Sequence, residues 1–294
     1  METFLKQNYQ NFMIFFTFFL LWFSIQFGKV VEDSVAFVLI ISIGVLHGAN
    51  DLLILSKGEK KRFRLVKYFI VYLSIIVLCI LIYLLSSFLA IILFVLLSSY
   101  HFGEEYFGEK VVVNKIFNSM YYLAYGVFIF SMLFYSSTSQ VDEIMKELAN
   151  RTFTTFQIEL ALLLSLSIFL VSNLYLFLLK RNTAEMLLKE VFYLGLLFVV
   201  FQTSSLILGF AIYFIFWHSI PSIIHQVEFI SGSLTKKSVA HYIKKAFIYW
   251  GISVVGLITL YQMVPQIKLF STLIFVVLFA VTAPHTWVMH KMKS

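Results

Sequence analysis

The chain is 294 residues long, 61% hydrophobic and only 13% charged, with a formal net charge of +7. A soluble domain of this size carries about 25% charged residues, so the composition excludes an ordinary soluble protein and leaves one integral-membrane domain over 1–294. The basic residues sit in short segments between apolar runs, which assigns them to membrane orientation and not to nucleic-acid binding.

A helix that crosses a bilayer needs about 20 apolar residues. Ten candidates follow in chain order: about 11–28, 35–56, 67–86, 87–107, 114–135, 157–179, 188–203, 205–226, 246–264 and 268–289. The expected fold class is therefore all-α, a polytopic membrane helix bundle of about ten transmembrane helices. The first run lacks a small-residue cleavage site and reads as a spanning helix, not a removed signal peptide. Between the fifth and sixth runs, Val141, Ile144, Met145 and Leu148 recur at helical spacing among charged residues, which predicts a helix lying on the surface. The segment Glu228–Lys245 reads as a basic loop, with His241 solvated near anionic headgroups. With the N-terminus placed on the cytoplasmic side, 18 of the 22 Lys and Arg residues fall on cytoplasmic segments, so both termini are expected to be cytoplasmic, in the cell (inner) membrane. The single cysteine, Cys79, leaves no disulfide framework and no Cys-based metal site.

Ionisable groups inside a membrane are costly unless paired, and mark functional positions. Of the seven histidines, His241 lies in the basic segment and His290 at the C-terminal edge. The other five, His47, His101, His218, His225 and His285, all fall on even-numbered expected spans, towards the cytoplasmic end of each. At about 1.5 Å per residue, His47, His101, His218 and His285 lie roughly 9–15 Å from the inner edge, and His225 only about one turn from it. Four imidazoles at one depth on four helices of the same direction are expected to converge on one metal ion. Asp51 follows His47 by four and shares its helical face, where a carboxylate orients a ligating imidazole. Glu104 and Glu105 follow His101 closely, and Ser222 follows His218 by four. All-nitrogen ligation suits Fe, Cu, Zn or Ni. A site among 34 Phe, 16 Tyr and 4 Trp, reached from lipid, suits an apolar substrate better than an ion. Histidine-rich di-iron motifs and the H-E-x-x-H zinc-protease motif are absent.

Four short motifs carry these groups: His-Gly-Ala-Asn-Asp at 47–51, Tyr-His-Phe-Gly-Glu-Glu at 100–105, Trp-His-Ser at 217–219 and Pro-His at 284–285. In this order and spacing the chain resembles the Brp/Blh family, the integral-membrane β-carotene 15,15′-dioxygenases of bacteria and archaea. The resemblance implies oxidative cleavage of the central double bond of β-carotene, or a related carotenoid, by O₂ at Fe(II), releasing retinal. By motif, His47, His101 and His218 correspond to iron ligands. The family carries a further histidine one turn after the one matching His218; here that position is Ser222, preceded by Pro221. Either His285 or His225 then completes the shell, or the site has three histidines. Depth favours His285, because His218 and His225 sit about 10.5 Å apart along an ideal helix, an awkward span for one ion. The competing expectation is a transporter of metal ions or protons using the same groups. It requires polar residues that continue to the other surface, where only Gln26, Asn173 and Gln202 are scattered.

Overall fold

The computed structural model describes residues 2–59, 61–108, 110–111, 113–263 and 270–293. Among them the chain forms eleven helices. They are α1 (Glu2–Gln26), α2 (Lys29–Ser56), α3 (Arg62–Leu85), α4 (Ser87–Phe107), α5 (Lys115–Ser136), α6 (Thr138–Ala149), α7 (Thr155–Leu178), α8 (Ala184–Thr203), α9 (Leu206–Ser231), α10 (Lys236–Met263) and α11 (Phe270–Lys293). Eight of these, α2–α5, α7 and α9–α11, are long and apolar enough to cross a membrane. The expected first and seventh spans correspond to α1 and α8, which flank α9: Trp217 Nε1 donates to Thr17 Oγ1 at 3.1 Å, and the Trp217 and Tyr193 rings pack edge to face at 5.0 Å.

Polar residues punctuate the apolar runs where the backbone needs partners. Ser86, Asn114, Thr183 and Ser205 each accept a backbone N–H in the first turn of the helix that follows, and Thr154 forms a reciprocal capping box with Gln157. At the start of α9, Glu32 and Asp33 add to the cap: Glu32 Oε2 accepts from Ser205 N at 2.6 Å and Asp33 Oδ1 from Ser205 Oγ at 2.5 Å. These carboxylates face the positive end of a helix dipole, which explains acidic groups at an otherwise apolar boundary. The surface helix expected between the fifth and sixth spans is α6, with Val141, Met145 and Leu148 buried against the bundle. The basic segment differs from expectation. Residues 236–245 are not a loop but the first turns of α10, with Tyr242 and Ala246 buried at a four-residue spacing and His241 on the exposed side. In the short loop before α3, the Glu59 carboxyl accepts from Lys61 N–H and from Arg64, both at 2.9 Å, which holds it below the usual carboxylate range.

Two features position the histidine layer. First, α4 and α5 cross backbone to backbone. A β-carbon at Gly103 would overlap the Tyr122 backbone, and one at Gly126 the Ser99 backbone. Small residues permit this approach, and it sets the height of His101. Second, α2 and α9 each contain a π-helical segment, Ile40–Gly44 and Tyr213–Ser219, and these segments pack together. A β-carbon at Gly44 would come within 2.7 Å of the Phe214 ring. Pro221 offers no backbone N–H to α9, and within the π segment Ser219 Oγ donates to the Phe214 carbonyl at 2.7 Å. Widened turns of this kind are frequent at functional sites.

Candidate metal centre

His47 lies on α2 just after its π segment, His101 on α4, His218 in the π segment of α9, and His285 on α11 directly after Pro284. All four are buried. The rings of His47 and His285 are 4.5 Å apart, those of His101 and His218 4.7 Å, His101 and His285 5.1 Å, and His47 and His218 5.4 Å. Four histidines from distant parts of the chain thus surround one small space of about 20 Å³, also lined by Phe94, Phe102, Phe210 and Phe214. That volume suits one water-sized species. His47, His101 and His285 form the tightest set, with one ligand atom from each lying within 4.8 Å of the others. His218 closes the ring beside them.

The donor chemistry fits a metal ion. His47 Nδ1 lies 2.7 Å from the Gly44 carbonyl, and His285 Nδ1 lies 2.7 Å from Asp51 Oδ1. A carbonyl or carboxylate accepts, so both Nδ1 atoms carry the proton and both Nε2 lone pairs are left free. Those Nε2 atoms, with both ring nitrogens of His101 and of His218, are buried without a hydrogen-bond partner among the described residues. Leaving so many buried polar atoms unpaired is expensive, and one cation would take one nitrogen from each of the four rings.

The carboxylates sit differently from the sequence expectation. Asp51 does not orient His47. The helix is interrupted at Asn50 (φ −97°, ψ 12°), so the i,i+4 relation fails, and Asp51 reaches across to His285 while accepting from Tyr72 at 2.9 Å. Nor do Glu104 and Glu105 bond to His101. Glu105 pairs with His225 Nδ1 at 2.7 Å and Lys293 at 2.9 Å; Glu104 pairs with His290 at 2.9 Å and accepts from Tyr100 at 3.1 Å. His225 therefore belongs to an ion-pair layer next to the site, and His285 occupies the corner that the sequence left open between them. Ser222 is fully buried and accepts from Gln226, whose Nε2 also donates to the His47 carbonyl at 3.0 Å. The Tyr242 hydroxyl donates to Gln226 Oε1 at 2.8 Å and lies 3.3 Å from the same carbonyl, and the Tyr242 carbonyl accepts from Asn50 Nδ2 at 3.1 Å. Tyr72, Gln226 and Tyr242 were invisible to pattern reading, because their roles depend on the interruption in α2 and on contacts between helices.

A family model for β-carotene 15,15′-dioxygenase matches residues 38–293, a stretch that contains all four histidines. The chain belongs to the β-carotene 15,15′-dioxygenase family. No curated protein and no solved structure matches it. Membership of this family suggests a carotenoid-cleaving dioxygenase, and the histidine cluster, which could hold a metal ion, lies in a bundle whose apolar helices suit a lipid environment.

Proposed function

We propose that this protein is an iron-dependent oxygenase that cleaves the central 15,15′ double bond of β-carotene, or a related carotenoid, with O₂ to give retinal. The observation that carries the reading is the coincidence of the family match with unpartnered imidazole nitrogens converging in an aromatic-lined space. His47, His101 and His285 would hold Fe(II), with His218 as the fourth nitrogen ligand and His225 outside the set. The bound iron supplies the activation of O₂. Asp51 keeps the His285 proton on Nδ1, and the Gly44 carbonyl does the same for His47, so each ring presents a lone pair. Phe94, Phe102, Phe210 and Phe214 exclude water and offer π faces to a polyene.

We further propose a single domain of ten spans, counting α1 and α8, with both termini cytoplasmic and the protein in the inner membrane. The support is the charge distribution along the chain: with the N-terminus inside, 18 of the 22 Lys and Arg residues, Lys57, Lys180, Lys236 and Lys291 among them, fall on segments that would be cytoplasmic. A route for ions is less well supported. Asn173 bonds to Tyr121 and Asn182, and Glu32 and Asp33 cap α9, so these groups have structural employment. The test is expression in cells that make β-carotene, with retinal followed by chromatography and iron measured in the purified protein. Retinal and stoichiometric iron are expected, and both should be lost in His47→Ala and His101→Ala. Undiminished retinal in those variants would sink the metal assignment, and no retinal from the wild type would sink the substrate.

A further inference from the structure

The histidine layer is closed on one side and open on the other. On the basic side, the buried Glu104 and Glu105 carboxylates are tied to His290, His225 and Lys293 at 2.7–2.9 Å, an ionic layer that an apolar molecule cannot cross without breaking it. Two cavities lie at that end of the bundle, and neither touches a ligand histidine. On the opposite side, the space between the histidines shares Phe94, Phe210 and Leu278 with a chamber of about 130 Å³. Every side chain lining that chamber is apolar, and Val141, Ile144, Met145 and Leu148 of α6 form its roof.

The chamber in turn shares Val95, Phe130, Phe134 and Phe153 with a further cavity of about 340 Å³. This outer cavity lies between α4 and α7, with α5 as its floor. Its rim includes Leu96, which is 41% exposed on the lipid-facing side of α4, and the exposed Gln157 at the start of α7. The Phe88 and Phe153 rings, 5.7 Å apart, frame its mouth. From Phe88 to His101 along α4 is about 20 Å of helix axis. The three spaces form a chain from the bilayer to the histidines without a charged side chain lining it, apart from the histidines themselves.

We propose that the gap between α4 and α7 is a lateral portal through which a long apolar polyene passes from the membrane, on the side away from the basic loops, past Val95 and Phe134 to the histidine layer. This rests on the carotenoid-cleaving reading for the identity of the occupant. A polyene dissolved in lipid has no favourable reason to leave it for water, so a lipid-facing apolar mouth lets it reach the site without exposure. The portal also orders events: the molecule meets the α6 roof and the Phe134 gate before it meets the histidines.

The test is a graded plug. Val95→Leu, Val95→Phe and Val95→Trp, together with Ala161→Trp, fill the portal; Leu170→Trp, on the exposed face of α7, is the control. Two readouts are needed on purified protein in lipid vesicles. One is β-carotene cleavage, where kcat/KM should fall by about tenfold or more in the largest plugs, mainly through KM, while iron content and unfolding temperature match wild type. The other is the absorption shift of β-carotene taken up by metal-free protein, which should weaken along the Val95 series and persist in Leu170→Trp and His47→Ala. Uptake and kcat/KM within twofold of wild type in both Val95→Trp and Ala161→Trp would overturn the portal. If wild type takes up β-carotene through the portal but cleaves none, the oxygenase reading falls and the portal stands. If wild type takes up no polyene at all, both fall.

Discussion

His285 Nδ1 and Asp51 Oδ1 lie 2.7 Å apart, both buried, although 234 residues separate them in the chain. This contact joins α11 to the interrupted end of α2 and fixes one ring of the histidine layer. Tyr72 on α3 donates to the other oxygen of the same carboxylate at 2.9 Å, so a single aspartate links three helices.

Removing this support should loosen the metal before it disturbs the fold. Asp51→Asn is expected to weaken metal affinity about 10- to 100-fold, the usual cost of losing a carboxylate behind a ligating imidazole. Tyr72→Phe should have a smaller effect, about 1 kcal/mol in stability. Metal titration of metal-free protein, alongside thermal unfolding in detergent, checks both; equal metal affinity in Asp51→Asn and wild type would count against the arrangement.

The five membrane histidines should divide into two groups. His47→Ala, His101→Ala, His218→Ala and His285→Ala are expected to purify with little iron. His225→Ala should keep its iron and lose stability instead, because it leaves the Glu105 carboxylate with one partner fewer. Elemental analysis of the five proteins reads this directly. Iron retained in His285→Ala and lost in His225→Ala would reverse the assignment of the fourth ligand.

The seam between α4 and α5 leaves no room for a methyl group. Gly103→Ala and Gly126→Ala are each expected to cost about 1–3 kcal/mol or more through overpacking, whereas Gly195→Ala, with open space around its α-carbon, should be neutral or slightly stabilising. Unfolding temperatures of the three variants provide the comparison.

Ser205→Ala removes both the first-turn cap of α9 and the partner of Asp33. A loss of about 1 kcal/mol is expected from the cap, with iron content unchanged because His218 lies about 20 Å further along the helix. A matching loss of iron would mean that this cap sets the position of His218.

Much of the architecture was legible because apolar runs and caps are local signals. The fourth expected span, 87–107, coincides with α4, since Ser86 both ends one run and caps the next helix. The convergence of His47, His101, His218 and His285 was legible too, because rise per residue along a helix is nearly constant. What escaped was anything that depended on an unbroken helix. The i,i+4 spacing pairs Asp51 with His47, but the interruption at Asn50 gives it to His285 instead. Glu104 and Glu105 stand near His101 on their own helix, whereas partners on α9 and α11 hold them. The start of α10 escaped for another reason: its first turns are basic and amphipathic, so no apolar run announced them.

The paired π segments carry a consequence for how such a site is built. A π segment holds one more residue than the α-helical path over the same length, and one residue is about 100° of rotation around the axis. Deleting a single residue from Ile40–Gly44 would let α2 wind smoothly as an α-helix, while the residues on either side, His47 among them, keep the faces they present. In Tyr213–Ser219 the widened turn itself carries His218, so there the same deletion would move the ring. The widened turns therefore let α2 and α9 press together at Gly44 and Phe214 without turning the remainder of either helix, so the apolar stripe each presents elsewhere stays in register.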